Sequence, residues 1–77
     1  MIDSDILDEI FLSVFNWETL PSKTSINKNA IEMWDSMIQL NLVSAIESEF
    51  DIVIALDEAL AITSYSVAES VIAKHIS

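Results

Sequence analysis

Residues 34–50 read Trp34-Asp35-Ser36-Met37-Ile38-Gln39-Leu40-Asn41-Leu42-Val43-Ser44-Ala45-Ile46-Glu47-Ser48-Glu49-Phe50. An aspartate and a serine, both good helix starters, stand directly before an amphipathic run. With about 100° of rotation per residue, Leu42, Val43, Ile46 and Phe50 fall on one stripe, and this stripe is the expected core face. Gln39 lies on the same side, so a buried Gln39 needs a hydrogen-bond partner. Met37 and Leu40 fall on another face, shared with Asn41, Ser44, Glu47 and Ser48. The spacing predicts a helix from about Ser36 to Phe50, with Asp35 as its N-cap. One hydroxyl, that of Ser36, then sits where an irregular segment becomes a helix.

The flanks continue the helical pattern. Ile6, Leu7, Ile10, Phe11, Val14 and Phe15 recur at helical spacing. Asp3 or Ser4 can cap that first helix, and Asp5, Asp8 and Glu9 near its start suit the helix dipole. The pattern stops near Asn16. The chain has no glycine, so Asn16 is the expected substitute for a glycine C-cap. Residues Trp17 to Asp35 form a long connection with turn chemistry at Pro21, Ser22, Thr24, Ser25, Asn27 and Asn29. Ile26, Ile31, Met33 and Trp34 are placed to pin it to the core. Asp51 to Leu56 is an apolar loop, since its β-branched Ile52-Val53-Ile54 has no second strand to pair with. A short helical turn follows from Asp57 to Ile62, with Asp57 as cap. In the last helix Ser66-Val67-Ala68-Glu69 matches a capping box. Ala68, Val71, Ile72 and Ile76 are expected to face inward, and Lys74 and His75 suit the negative end of the dipole. The expected fold is all-α, a small four-helix bundle of three principal helices and one short one, with a long loop between helices one and two.

Composition narrows the function. At 77 residues the chain fits one small domain, 1–77, and no cysteine is present to staple it. A hydrophobic content of 52% is too high for a disordered acidic tail. Three basic residues against 13 acidic ones give a net charge of −10, which disfavours nucleic acid and anionic membranes and favours basic protein partners. The same self-repulsion predicts stabilisation by salt or divalent cations. The start, Met1-Ile2-Asp3-Ser4-Asp5, lacks the basic and apolar regions of a signal peptide, and no apolar run is long enough to span a bilayer. A cytoplasmic location is the expectation.

Catalysis finds no support. The lone His75 near the C-terminus has no nucleophile and base around it, and without glycine no glycine-rich phosphate loop can form. Asp51, Asp57 and Glu58 lack the spacing and central glycine of a calcium loop. All read better as solvated acidic surface, and no metal site is expected.

What remains is Ser36. The Asp35-Ser36-Met37 start is followed without gaps by Leu42-Val43, Ala45-Ile46-Glu47, Glu49-Phe50, Ile54, Glu58-Ala59 and Ile62-Thr63-Ser64. In order and spacing this resembles the acyl carrier protein family, over roughly Asn29 to Ile72. The resemblance implies that a phosphopantetheinyl transferase moves 4′-phosphopantetheine from coenzyme A onto Ser36, with Asp35 part of the recognition motif. The arm's thiol then holds an acyl or aminoacyl group as a thioester. Met37 and Leu40 are implied to give apolar contacts to partners, and Glu47 to meet basic groups on loading ligases, acyltransferases or synthases. The implied protein is a monomeric carrier and not an enzyme.

Two departures shape that expectation. Carriers of the fatty-acid type usually have glycine shortly before Asp-Ser, where this chain has Glu32-Met33-Trp34. They tend to be acidic just after it, where this chain has Ile38, Gln39 and Asn41. Both point to a dedicated carrier in a specialised pathway, such as polyketide, nonribosomal peptide, saccharide-modification or D-alanyl transfer chemistry. Trp34 can also be read simply as a core anchor of the loop. The alternative reading of the chain is a small acidic helical interaction module, with no prosthetic group and Ser36 only a cap-region residue.

Overall fold

The computed structural model describes residues 4–76. Among them are four α-helices: α1 (Ser4–Phe15), α2 (Ser36–Phe50), α3 (Leu56–Ala61) and α4 (Tyr65–Ile76). The expected all-α bundle with one short helix and one long loop is the fold observed. Of the two caps expected for the first helix, Asp3 lies outside the described residues and Ser4 is already helical.

Two helices end without glycine by the same device. Asn16 has φ 57° and Asp51 has φ 54°, both in the left-handed region. Asparagine and aspartate tolerate that region better than other side chains. At α1 the Asn16 N–H donates to the Ser13 carbonyl at 3.3 Å and the Trp17 N–H to the Leu12 carbonyl at 3.0 Å, the paired bonds of a Schellman motif. At α2 the Asp51 N–H and the Ile52 N–H both reach the Glu47 carbonyl.

The core is one cluster. Leu7, Ile10, Phe11 and Phe15 of α1 meet Leu42, Val43 and Ile46 of α2, with Tyr65, Ala68 and Ile72 of α4 closing it. Phe50, expected in the α2 stripe, is half-buried against this cluster, as is Val71. Ile76, expected inward, is 38% exposed. It lies in the final turn of α4, where the helix runs past the core.

The long connection is ordered by a few anchors. Ile26 and Trp34 are buried, and Ile31 packs against the core. Met33, expected to help, is exposed. Trp34 sits edge-on to Phe11 with centroids 6.1 Å apart, and Trp17 stacks on Phe15 at 4.6 Å. A single 3-10 turn spans Lys23–Ser25. The backbone then pairs with the entrance of α4: the Lys28 N–H donates to the Thr63 carbonyl at 2.8 Å and the Tyr65 N–H to the Ile26 carbonyl at 3.0 Å.

That pairing corrects one sequence expectation. α4 begins at Tyr65, and its cap is Ser64, whose Oγ accepts from the Val67 N–H at 3.1 Å. Ser66 is inside the helix, so the Ser66–Glu69 capping box does not form. The bridge between Asn27 and Ser64 fixes where the helix can start, and tertiary pairing outweighs the local motif. The short helix is likewise shifted. α3 begins at Leu56 after Ala55, and Asp57 lies in its first turn. Ala55 has no side-chain acceptor; instead a Glu58 carboxylate oxygen accepts from the Ala55 N–H at 3.4 Å.

Candidate functional site

Ser36 is the first residue of α2 and is exposed. The turn that carries it is built by its neighbours. The Trp34 N–H donates to the Ile31 carbonyl at 3.1 Å and the Asp35 N–H to the Met33 carbonyl at 3.0 Å, tightening the approach. Asp35 then closes the cap as expected. Its backbone is extended, and its Oδ1 accepts from the Ile38 N–H at 3.0 Å. The aspartate is thereby fixed to the helix start, and a free backbone N–H is satisfied. Ser36 follows in regular helical geometry with its side chain outside the core.

The apolar residues expected beside it are on the surface. Met37 is 72% exposed and Leu40 67% exposed. Val53, Leu56 and Leu60 are also exposed, on the loop before α3 and on α3 itself, which packs against α2. Periodicity missed Val53 because the run Ile52-Val53-Ile54 reads as uniformly apolar. The available signal was alternation: in it Ile54 is buried, Ile52 half-buried and Val53 exposed.

Glu47 is placed differently from the residues around Ser36. One of its carboxylate oxygens accepts from the Ile54 N–H at 2.9 Å. Its own carbonyl receives the two bonds that end α2. Glu47 is therefore half-buried and tied to the loop between α2 and α3.

Gln39 meets the need foreseen for it. It is 7% exposed. Its Nε2 donates to the carbonyls of Ala59 and Ile62, each at 2.7 Å, and its Oε1 accepts from the indole Nε1–H of Trp34 at 2.6 Å. Trp34 is thus a core anchor and also a polar partner of α2.

Away from Ser36 two polar clusters link elements. His75 Nε2 lies 2.9 Å and Lys74 Nζ 3.3 Å from the two carboxylate oxygens of Glu58. Those bonds, His75 first and Lys74 next, hold the Glu58 carboxyl below its ordinary value. Tyr65 donates its hydroxyl proton to Asp8 at 2.5 Å, and Lys23 reaches the same carboxylate at 3.7 Å. Burial, and then the bond to Asp8, push the Tyr65 phenol well above its ordinary range.

An open groove of about 390 Å³ runs between α1 and α2, lined by residues that include Ile10, Val14, Ala45 and Glu49. Ala45 is nine residues beyond Ser36, about 13 Å along the helix axis, so the groove is separate from the serine. Among the described residues no cluster of three or more metal-ligating side chains occurs, and no helix is long and apolar enough to cross a membrane.

No family model matches the chain, and no curated protein matches it. Among solved structures it is similar to the solution NMR structure of a holo acyl carrier protein from Geobacter metallireducens. The two share 26% identity with a TM-score of 0.80, over 94% of this chain and 83% of that one. The likeness covers nearly the whole of this chain, and the protein it resembles is a carrier and not a catalyst. The chain has the fold of an acyl carrier protein, and the likeness to a holo carrier supports its assignment to that family.

Proposed function

We propose that residues 1–77 act as one carrier domain, in which Ser36 is the attachment point for 4′-phosphopantetheine and the bound arm presents an acyl or aminoacyl group to partner enzymes. The observation that carries this reading is the exposed serine at the first position of α2, held behind the Asp35 cap in a fold shared with a holo carrier. The residues fit the group. An exposed hydroxyl at a helix start is reachable, and the cap holds its backbone without using it. When bound, the arm supplies a thiol that holds cargo as a thioester; the protein itself has no cysteine to compete.

The chain's own contribution is presentation. Asp35 fixes the turn. Met37 and Leu40 offer apolar surface within one turn of Ser36. Glu47, farther along α2, contributes negative charge there, although its bond to Ile54 leaves only part of its carboxylate for a basic group. The partners in this reading are a phosphopantetheinyl transferase, a loading ligase, and acyltransferases or synthases with basic docking patches. The thin charge next to Ser36, with Ile38, Gln39 and Asn41 following it, favours a specialised pathway over general fatty-acid supply.

The test is intact mass after incubation with coenzyme A and a promiscuous phosphopantetheinyl transferase, with Ser36→Ala alongside. The expected result is a gain of one phosphopantetheine on the wild type only. No gain with several transferases refutes the carrier role and favours an acidic interaction module.

A further inference from the structure

We propose that Gln39 is a positioning residue that locks the Ser36 turn and α3 into one rigid unit, so that an enzyme gripping α3 meets Ser36 at a fixed offset. The inference rests on Ser36 being the attachment site, and it adds a residue that the attachment motif does not contain.

The argument starts from the amide itself. A carboxamide offers one acceptor oxygen and two donor hydrogens in a fixed plane. Here all three functions are used, and the partners leave no choice of orientation: two carbonyls require the NH₂ group, and an indole N–H requires the oxygen. The donors go to Ala59 and Ile62, at the C-terminal end of α3, and the acceptor takes the Trp34 proton. Trp34 stands two residues before Ser36 and Gln39 three residues after it. One side chain therefore clasps both sides of the serine turn and the neighbouring helix.

The need for such a clasp follows from α3. It has six residues and none of them is buried. At its end the Ile62 N–H closes on the Ala59 carbonyl at 3.3 Å, and Gln39 adds a second bond to that carbonyl and one to the carbonyl of Ile62, the C-cap, from α2. Its N-terminal half is held from α4 through Glu58. Displacing α3 pulls on the Gln39 amide, and a rotated amide no longer presents its oxygen to Trp34. Two of these bonds are buried and the third is part-buried; because all three share one amide, they are coupled to one another. Leu56 and Leu60, the exposed apolar side chains of α3, are thereby held in register with Ser36.

The test uses Gln39→Met, which keeps length and removes all three bonds, and Trp34→Phe, which keeps a ring and removes one. Amide hydrogen exchange and the steady-state constants of transferase modification are measured on the full chain, at a temperature where each variant is folded. For Gln39→Met, exchange in α3 is expected to quicken on the order of tenfold. The transferase's KM for the carrier is expected to rise on the order of tenfold, with kcat within about twofold. Trp34→Phe is expected to raise KM and to quicken α3 exchange, each by less than Gln39→Met does. A Gln39→Met protein with a lower melting temperature but unchanged α3 exchange and unchanged KM would show that the amide only fills the core, and the proposal falls. If Gln39→Met does not fold, Trp34→Phe decides: an unchanged KM overturns the role. A wild type that no transferase modifies overturns the carrier reading and this role with it. A modified wild type with indifferent variants overturns this role alone.

Discussion

Replacing Asp51 by glycine should stabilise the protein, and the structure sets out the components. Asp51 ends the 15-residue α2 with φ 54° and ψ 51°. A side chain in the left-handed region costs about 1–2 kcal/mol per residue, somewhat less for aspartate. The carboxylate also sits at the negative end of the helix dipole, which costs about 0.3–1 kcal/mol. The closing bonds, from the Asp51 and Ile52 N–H groups to Glu47, come from the backbone and survive the change. Against these gains stands the greater freedom of glycine in the unfolded chain, about 0.5–1 kcal/mol. The net expectation is a gain of about 1 kcal/mol, read as a melting temperature higher by about 4–8 °C for a domain of this size. Urea denaturation should show a shifted midpoint and an unchanged slope. Two controls separate the causes. Asp51→Asn removes only the charge, so its gain should shrink as salt is raised. Asn16→Gly, at φ 57°, changes only the backbone term, so its gain should be indifferent to salt. An Asp51→Gly protein that melts at or below the wild type would refute the reasoning.

Further outcomes test other contacts. Ser64→Ala should cost about 1 kcal/mol of stability through loss of the α4 cap, whereas Ser66→Ala should stay within about 0.5 kcal/mol; paired thermal melts check this. Tyr65 has a raised pKa, so its contribution is fully present below the ordinary value of 10.0 and is lost as pH rises above it. Tyr65→Phe should remove that alkaline loss from a pH series of urea midpoints. Glu58 has a lowered pKa, so its contribution is present above the ordinary 4.5 and is lost as pH falls below it. Glu58→Gln should make the melting temperature less pH-dependent on the acid side.

Helix two and its cap were fully legible because independent signals coincide there. An Asp at the boundary and a stripe of Leu42, Val43, Ile46 and Phe50 at helical spacing demand the same helix. Asn16 was legible for a similar reason, since a glycine-free chain has few residues able to turn left-handed. Gln39 was legible only as a need. Its position on the core face required partners, but two of the three are backbone carbonyls 20 and 23 residues away, which no local pattern encodes. Ser64 and Ser66 show the limit most clearly. Both can cap, and Glu69 favours Ser66 locally; the choice is made by the backbone pairing between Ile26–Lys28 and Thr63–Tyr65. Ala55 could not be read as a cap, since it has no side-chain acceptor. For the site, Asp35, Ser36, Met37 and Leu40 lie together at the start of α2 as the spacing implied. Glu47 is apart from them, bound to a loop whose fold the sequence left open.

The hydrogen bond between Trp34 and Gln39 also gives the protein a built-in optical reporter. An indole that is buried, donates to a fixed oxygen and stands two residues from Ser36 should emit at short wavelength and rotate little on the nanosecond scale. Its fluorescence anisotropy and emission maximum then follow the state of the serine turn without any added dye. Trp17, half-buried and stacked on Phe15 at the other end of the long loop, provides a second signal that Trp17→Phe can remove. On the proposed reading, any change in the Ser36 turn on loading or enzyme capture is read from the protein's own chromophore.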